Sequence, residues 1–128
     1  MTHSELQQEA ETIYDFLNIP TDDDMTQYTA KGNELAVYIN RTGFMLSQAK
    51  YMLNDAMQNE VVQLIKELTG EKYSAKVQNA LIDSVCKEER RLVDFIEQLN
   101  KTAKYQIEWC RTGISKIKEE MKYNNFHT

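Results

Sequence analysis

Few residues in this chain are equipped for chemistry. Cys86 and Cys110 are its thiols, and its two histidines, His3 and His127, sit at the ends. A nucleophilic thiolate needs a base beside it, and no histidine lies near either cysteine in sequence. Both cysteines fall on or beside an apolar stripe, where a thiol packs and stays inert. Glu88 and Glu89 interrupt that stripe. A di-metal carboxylate site in a helical bundle needs inward glutamates and Glu-x-x-His pairs. No Glu-x-x-His occurs, and adjacent helical residues point about 100° apart, so one of the two glutamates at most faces inward. The run Asp22-Asp23-Asp24 invites a calcium reading, but the alternating ligands, glycine and terminal glutamate of a calcium loop are missing. It reads instead as a helix start, with Asp24 as N-cap and its neighbours favoured by the helix dipole. The expectation is a protein with no catalytic residue, no metal ligand and no cofactor.

Two further groupings matter for binding. Arg90, Lys101, Lys104, Arg111, Lys118 and Lys122 recur at helical spacing, and the first five are the candidate nucleic-acid contacts. Asp94, Glu97 and Glu108 share their stripe, so a mixed-sign solvated face explains it as well. Asn40-Arg41-Thr42-Gly43 and Asn100-Lys101-Thr102-Ala103 are small, polar segments that each interrupt an aliphatic stripe. Asn40, Thr42, Asn100 and Thr102 are predicted to form a polar core layer, which fixes register at some cost in stability. The rival reading of the layer is a ligand site.

The elements that hold these residues are helices. From Ser74 to about Asn124 there is no proline and one glycine. Leu92, Ile96, Leu99, Ala103, Ile107, Cys110, Ile114, Ile117 and Met121 recur there in alternating steps of three and four, the repeat of a helix packed along its length against another. A second long helix is predicted over 25–68, with Leu35, Ile39, Thr42, Leu46, Ala49, Leu53 and Ala56 inward, continuing through Met57, Val61, Leu64 or Ile65, and Leu68. Gly70 is placed as its C-terminal cap and Ser74 as the next N-cap. The short link makes 25–68 and 74–124 antiparallel neighbours, and a turn centred near Glu71 or Lys72 puts Thr42 opposite Thr102. A short amphipathic helix is predicted over 4–18, with Ser4 and Gln7 as a capping box and Leu6, Ala10, Ile13, Tyr14 and Leu17 on one face.

Composition agrees. The chain has 128 residues, 27% charged and 41% hydrophobic, with 4 glycines and 1 proline, which suits one helical domain, 1–128. Residues 1–73 carry 5 basic and 12 acidic side chains, and residues 74–128 carry 10 and 8. The acidic half disfavours non-specific binding to phosphate backbones. The N-terminus is polar and acidic and no apolar run reaches the length of a membrane span, so the expectation is a cytoplasmic protein with reduced thiols.

Phe95, Tyr105 and Trp109 flank one main stripe, and Tyr38, Met45 and Met52 flank the other. Faces that wide exceed the seam of a two-helix coiled coil, and a short first helix cannot cover them all. The sequence therefore predicts an all-α antiparallel helical hairpin that dimerises into a four-helix bundle, with Tyr38, Met45, Met52, Phe95 and Trp109 at the interface.

The run Arg41-Thr42-Gly43-Phe44-Met45-Leu46-Ser47-Gln48-Ala49-Lys50-Tyr51, with Leu92 to Ile114 later, resembles small helical proteins of bacteriophages and mobile elements. The resemblance covers the two long helices and not the first forty residues. Some proteins of that kind lie among replication and recombination genes, which implies a bacterial or phage cytosolic protein and carries over no catalytic residue. The functional expectation is a non-enzymatic scaffold or protein-interaction module, acting as a homodimer or higher homo-oligomer with a protein partner. It would be an accessory of phage nucleic-acid metabolism, and the alternative is direct nucleic-acid binding through the 74–128 face.

Overall fold

The computed structural model describes residues 1–69 and 72–127. Every element in it is an α-helix: α1 His3–Leu17, α2 Met25–Met57, α3 Glu60–Thr69, α4 Ala75–Val85 and α5 Lys87–His127. None of them is long and apolar enough to cross a membrane. The all-α class is as expected. The two unbroken helices over 25–68 and 74–124 are not: each is divided in two.

The first division follows Met57. Asn59 turns its side-chain oxygen to the N–H of Val62 (2.9 Å), and its carbonyl accepts from Gln63 (3.0 Å). An asparagine that caps a new helix competes with continuing the old one. The second division is a bend at Cys86 (φ −97°, ψ 21°), where the Cys86 N–H still reaches the Ile82 carbonyl at 3.0 Å. Cys86 is buried with Val62 and Ile82, and Leu53, Ala56, Met57 and Ile65 pack around them. The bend lets α4 lie on α3 while α5 lies on α2.

The predicted caps hold at Asp24, which accepts from the Gln27 N–H (2.8 Å), and at Ser74, which accepts from Val77 (3.3 Å). At the first helix the capping box is formed by Thr2 and Glu5 and not by Ser4 and Gln7. The cap assigned to Gly70 lies outside the described residues.

α2 and α5 run antiparallel: Tyr28 lies against Gly113, and further along α2 Thr42 meets Asn100. α1 lies in the groove between them and completes a three-helix core. Leu6, Ala10, Ile13 and Leu17 of α1 are buried with Leu35, Met45 and Ala49 of α2 and with Leu92, Ile96, Leu99, Ala103, Ile107 and Cys110 of α5. The end of α1 is tied to its neighbours: Gln106 Nε2 donates to the Leu17 carbonyl (2.9 Å), and Lys31 Nζ to that of Ile19 (2.6 Å).

Gly32 and Gly43 sit inside α2 with nothing within 4 Å of a Cβ built on either. Glycine costs a helix interior about 0.5–1 kcal/mol relative to alanine. Gly32→Ala and Gly43→Ala are each expected to raise stability by about that amount, read as a higher urea midpoint. A drop in midpoint would mean that close packing, unseen here, needs the glycine.

Candidate interaction surfaces

The polar layer is a built feature of the core. Thr42 is fully buried. Its Oγ1 donates to the Tyr38 carbonyl (2.7 Å), and Asn100 Nδ2 donates to Thr42 Oγ1 (2.9 Å) and to the Ile39 carbonyl (3.1 Å). The partner of Thr42 is thus Asn100 and not Thr102, two residues away from the expected register. Thr102 is half-buried, accepts from Gln98 (3.4 Å) on its own helix, and stands outside the layer; Asn40 is exposed. The bonds within the layer satisfy the Thr42 hydroxyl and the Asn100 amide donor, as a register-fixing contact requires.

The five residues assigned to a dimer interface are dispersed. Met45 is fully buried inside the chain's own core. Tyr38 packs on Phe16 of α1 (centroids 4.8 Å apart) and Phe95 on Tyr14 of α1 (5.9 Å). α1 therefore covers more of the apolar width than its length implies, because it lies in the groove and touches both long helices at once. Met52 is half-buried beside the core. Trp109 is half exposed, and one edge of its ring meets Tyr28 (5.4 Å).

No local pattern in the sequence marks Tyr28. It is buried, its ring rests on Gly113, and its hydroxyl donates to Asp23 Oδ1 at 2.6 Å. That hydrogen bond, burial and the negative charges of Asp23 and Asp24 push its phenol up to about 12. Because the folded value lies above the ordinary one of about 10, the stabilisation is complete below pH 10 and is lost as pH rises towards 12. Urea unfolding across that window is expected to lose stability more steeply in the wild type than in Tyr28→Phe. Equal slopes would mean that the Asp23 bond contributes nothing.

The basic stripe is partly neutralised. Arg90 pairs with Asp83 (2.8 Å), Lys101 with Glu97 (3.3 Å), and Arg111 with Glu108. Lys104 and Lys118 are exposed. Cys86 and Cys110 are free, buried thiols, and burial raises both above the usual thiol range. No three of the His, Cys, Asp and Glu side chains among the described residues come together as a metal site would require.

An open apolar surface lies elsewhere, on α3 and α4. Val61 and Leu68, expected in the core, are exposed. Of the pair Leu64 or Ile65 it is Ile65 that packs inward, and Leu64, Val77, Leu81 and Val85 are exposed as well. The residue after each of Val61, Leu68, Val77, Leu81 and Val85 turns inward: Val62, Thr69, Gln78, Ile82 and Cys86 are buried or half-buried. α3 and α4 are antiparallel, since Val62 clusters with Ile82 while Gln78 bonds to Thr69 and to the Lys66 carbonyl. One step back along a helix rotates a side chain by about 100°, and on antiparallel neighbours that rotation leads to the same side of the pair. The six residues therefore share one face, several hundred Å² in extent, as large as the largest patch of an ordinary monomer. The signal was present as adjacent apolar pairs, Val61-Val62, Leu64-Ile65, Leu81-Ile82 and Val85-Cys86. Adjacent side chains point about 100° apart, and in each of these doublets one faces inward while the other is left on the open side.

Set beside protein-family models, curated proteins and solved structures, the chain matches none of them.

Proposed function

We propose that the protein is a non-enzymatic helical scaffold, an interaction module that works as a homodimer or higher homo-oligomer. The observation that supports this reading is the open apolar face of α3 and α4, on a chain whose two thiols are buried. Exposed apolar surface of that extent is kept in a protein that docks. The wider setting we propose is an accessory role in phage or mobile-element nucleic-acid metabolism, with a further protein partner, in the cytoplasm. Direct nucleic-acid binding is the weaker alternative, because Arg90, Lys101 and Arg111 already hold carboxylates, and displacing these would offset part of the gain from phosphate contacts.

Sedimentation equilibrium tests the reading. The expected mass at tens of micromolar is a multiple of the 15.0 kDa chain. A mass of one chain at that concentration overturns self-association. A shift of DNA or RNA that weakens steeply with salt would favour the alternative.

A further inference from the structure

The open face of α3 and α4 has charged rims of opposite sign. The pattern repeats in steps of one residue. Val61 and Leu68 on the face are preceded by Glu60 and Glu67, and Val77, Leu81 and Val85 by Lys76, Ala80 and Ser84. One more step back turns each of these residues to the outer edge of the pair, away from the neighbouring helix. The outer edge of α3 therefore carries Glu60 and Glu67, and of Lys76, Ala80 and Ser84 on that of α4, Lys76 alone is charged. Glu60, Glu67 and Lys76 are exposed, and none of them makes an ion pair with another described residue. The bonds from Gln78 to Thr69 and to the Lys66 carbonyl, each 3.3 Å, set Gln78 level with 66–69. Lys76, two residues nearer the turn, therefore stands within about one helical turn of Glu67 along the pair.

The geometry points to a second copy of this chain as the occupant of the face, related by a two-fold axis parallel to α3 and α4. The inference rests on the self-association proposed above and names its site. Rotation about that axis lays α3 over α4 of the partner subunit and keeps heights unchanged. Glu67 then meets Lys76 of the partner subunit, and the same pair recurs on the other side, while Val61, Leu64, Leu68, Val77, Leu81 and Val85 close a four-helix core with their copies. The other face-to-face two-fold, perpendicular to the helices, lays α3 on α3 and sets glutamates against glutamates. A partner that must be apolar in the middle, basic over α3 and acidic over α4 is what this surface already is. The face is about 15 Å long and two helices wide. It buries on the order of 500 Å² per subunit, the low end for a specific complex, so the dimer belongs in the micromolar range.

Sedimentation equilibrium on the full chain, with circular dichroism as a check on folding, tests this. Leu64→Asp with Leu68→Asp puts charge into the seam and is expected to weaken the dimer at least about 100-fold, with helix content unchanged because both residues are exposed in the single chain. Glu67→Lys alone and Lys76→Glu alone should each weaken it about tenfold at low salt, since the lost attraction and the new repulsion both occur twice. Glu67→Lys together with Lys76→Glu should return the affinity to within about threefold of the wild type, because each reversed charge again meets its opposite on the partner. A wild-type dimer indifferent to Leu64→Asp and Leu68→Asp would overturn this site and leave self-association standing. A double reversal no tighter than the single ones would overturn the pairing of α3 with α4. A wild-type monomer would overturn both the site and the self-association on which it rests.

Discussion

Leu6→Ala and Ile13→Ala in one chain are expected to lower the free energy of unfolding by about 6 kcal/mol, near the whole stability of a small domain. Both side chains are buried to within 1%. They lie two turns apart on the inward face of α1, so their effects should nearly add. Each truncation removes apolar contact and leaves a cavity that the rigid groove between α2 and α5 can fill only in part. The consequence reaches beyond stability. α1 screens Tyr38 through Phe16 and Phe95 through Tyr14, and it seals Met45 into the core. Loosening it should uncover these residues, read as increased binding of a hydrophobic dye below the unfolding transition. A loss under about 2 kcal/mol without new dye binding would mean that α1 is peripheral. Tyr38, Phe95 and Met45 would then be available to a second copy after all, and the case for the α3 and α4 face would lose its exclusivity.

That first helix marks where the sequence was legible. Of its predicted inward residues, Leu6, Ala10, Ile13 and Leu17 are buried and Tyr14 is half exposed. The stripe of α5 is buried from Leu92 to Cys110, while Met121 at its far end is exposed. A helical seam repeats by rule but is buried only where a partner covers it. What spacing did not say is how far α1 reaches. A helix lying beside a hairpin covers one face, whereas a helix lying in its groove covers two. The choice is made by tertiary packing that no local pattern records. The division at Asn59 was hidden for another reason. No proline or glycine marks it, and asparagine inside a helix is only mildly unfavourable. Once Asn59 caps α3, the phase of everything after it changes. Val62 and Thr69 turn inward in place of Val61 and Leu68, and a surface read as core becomes open. Of the polar layer the structure joins Thr42 and Asn100, while Asn40 is exposed and Thr102 bonds within its own helix; the two interruptions at matching positions are what is visible in sequence. Thr42 meets Asn100 and not Thr102, because the register of an antiparallel pair is set by the connection and by tertiary packing, which no local pattern records.

Gly113→Ala is expected to destabilise the protein by about 1–2 kcal/mol, although alanine is the better helix former by about 1 kcal/mol. A Cβ at this position would stand 2.6 Å from Cε2 and 2.7 Å from Cζ of Tyr28. The ring cannot yield cheaply, since it is buried, meets Trp109 and holds Asp23 through its hydroxyl. Moving it breaks that bond at the start of α2 and shifts the ring from the edge of Trp109. The chain has one tryptophan, so its fluorescence reports this corner alone and should change in Gly113→Ala while Gly32→Ala leaves it unaltered. Tyr28→Ala separates the two contributions. With the ring gone, the added methyl has room, and Gly113→Ala in that background should become stabilising by a few tenths to about 1 kcal/mol. The sign change between the two backgrounds is the test. If Gly113→Ala stabilises the wild type as Gly32→Ala is expected to, the ring moves freely. The contact between Tyr28 and Gly113 then does not fix how α2 enters the core.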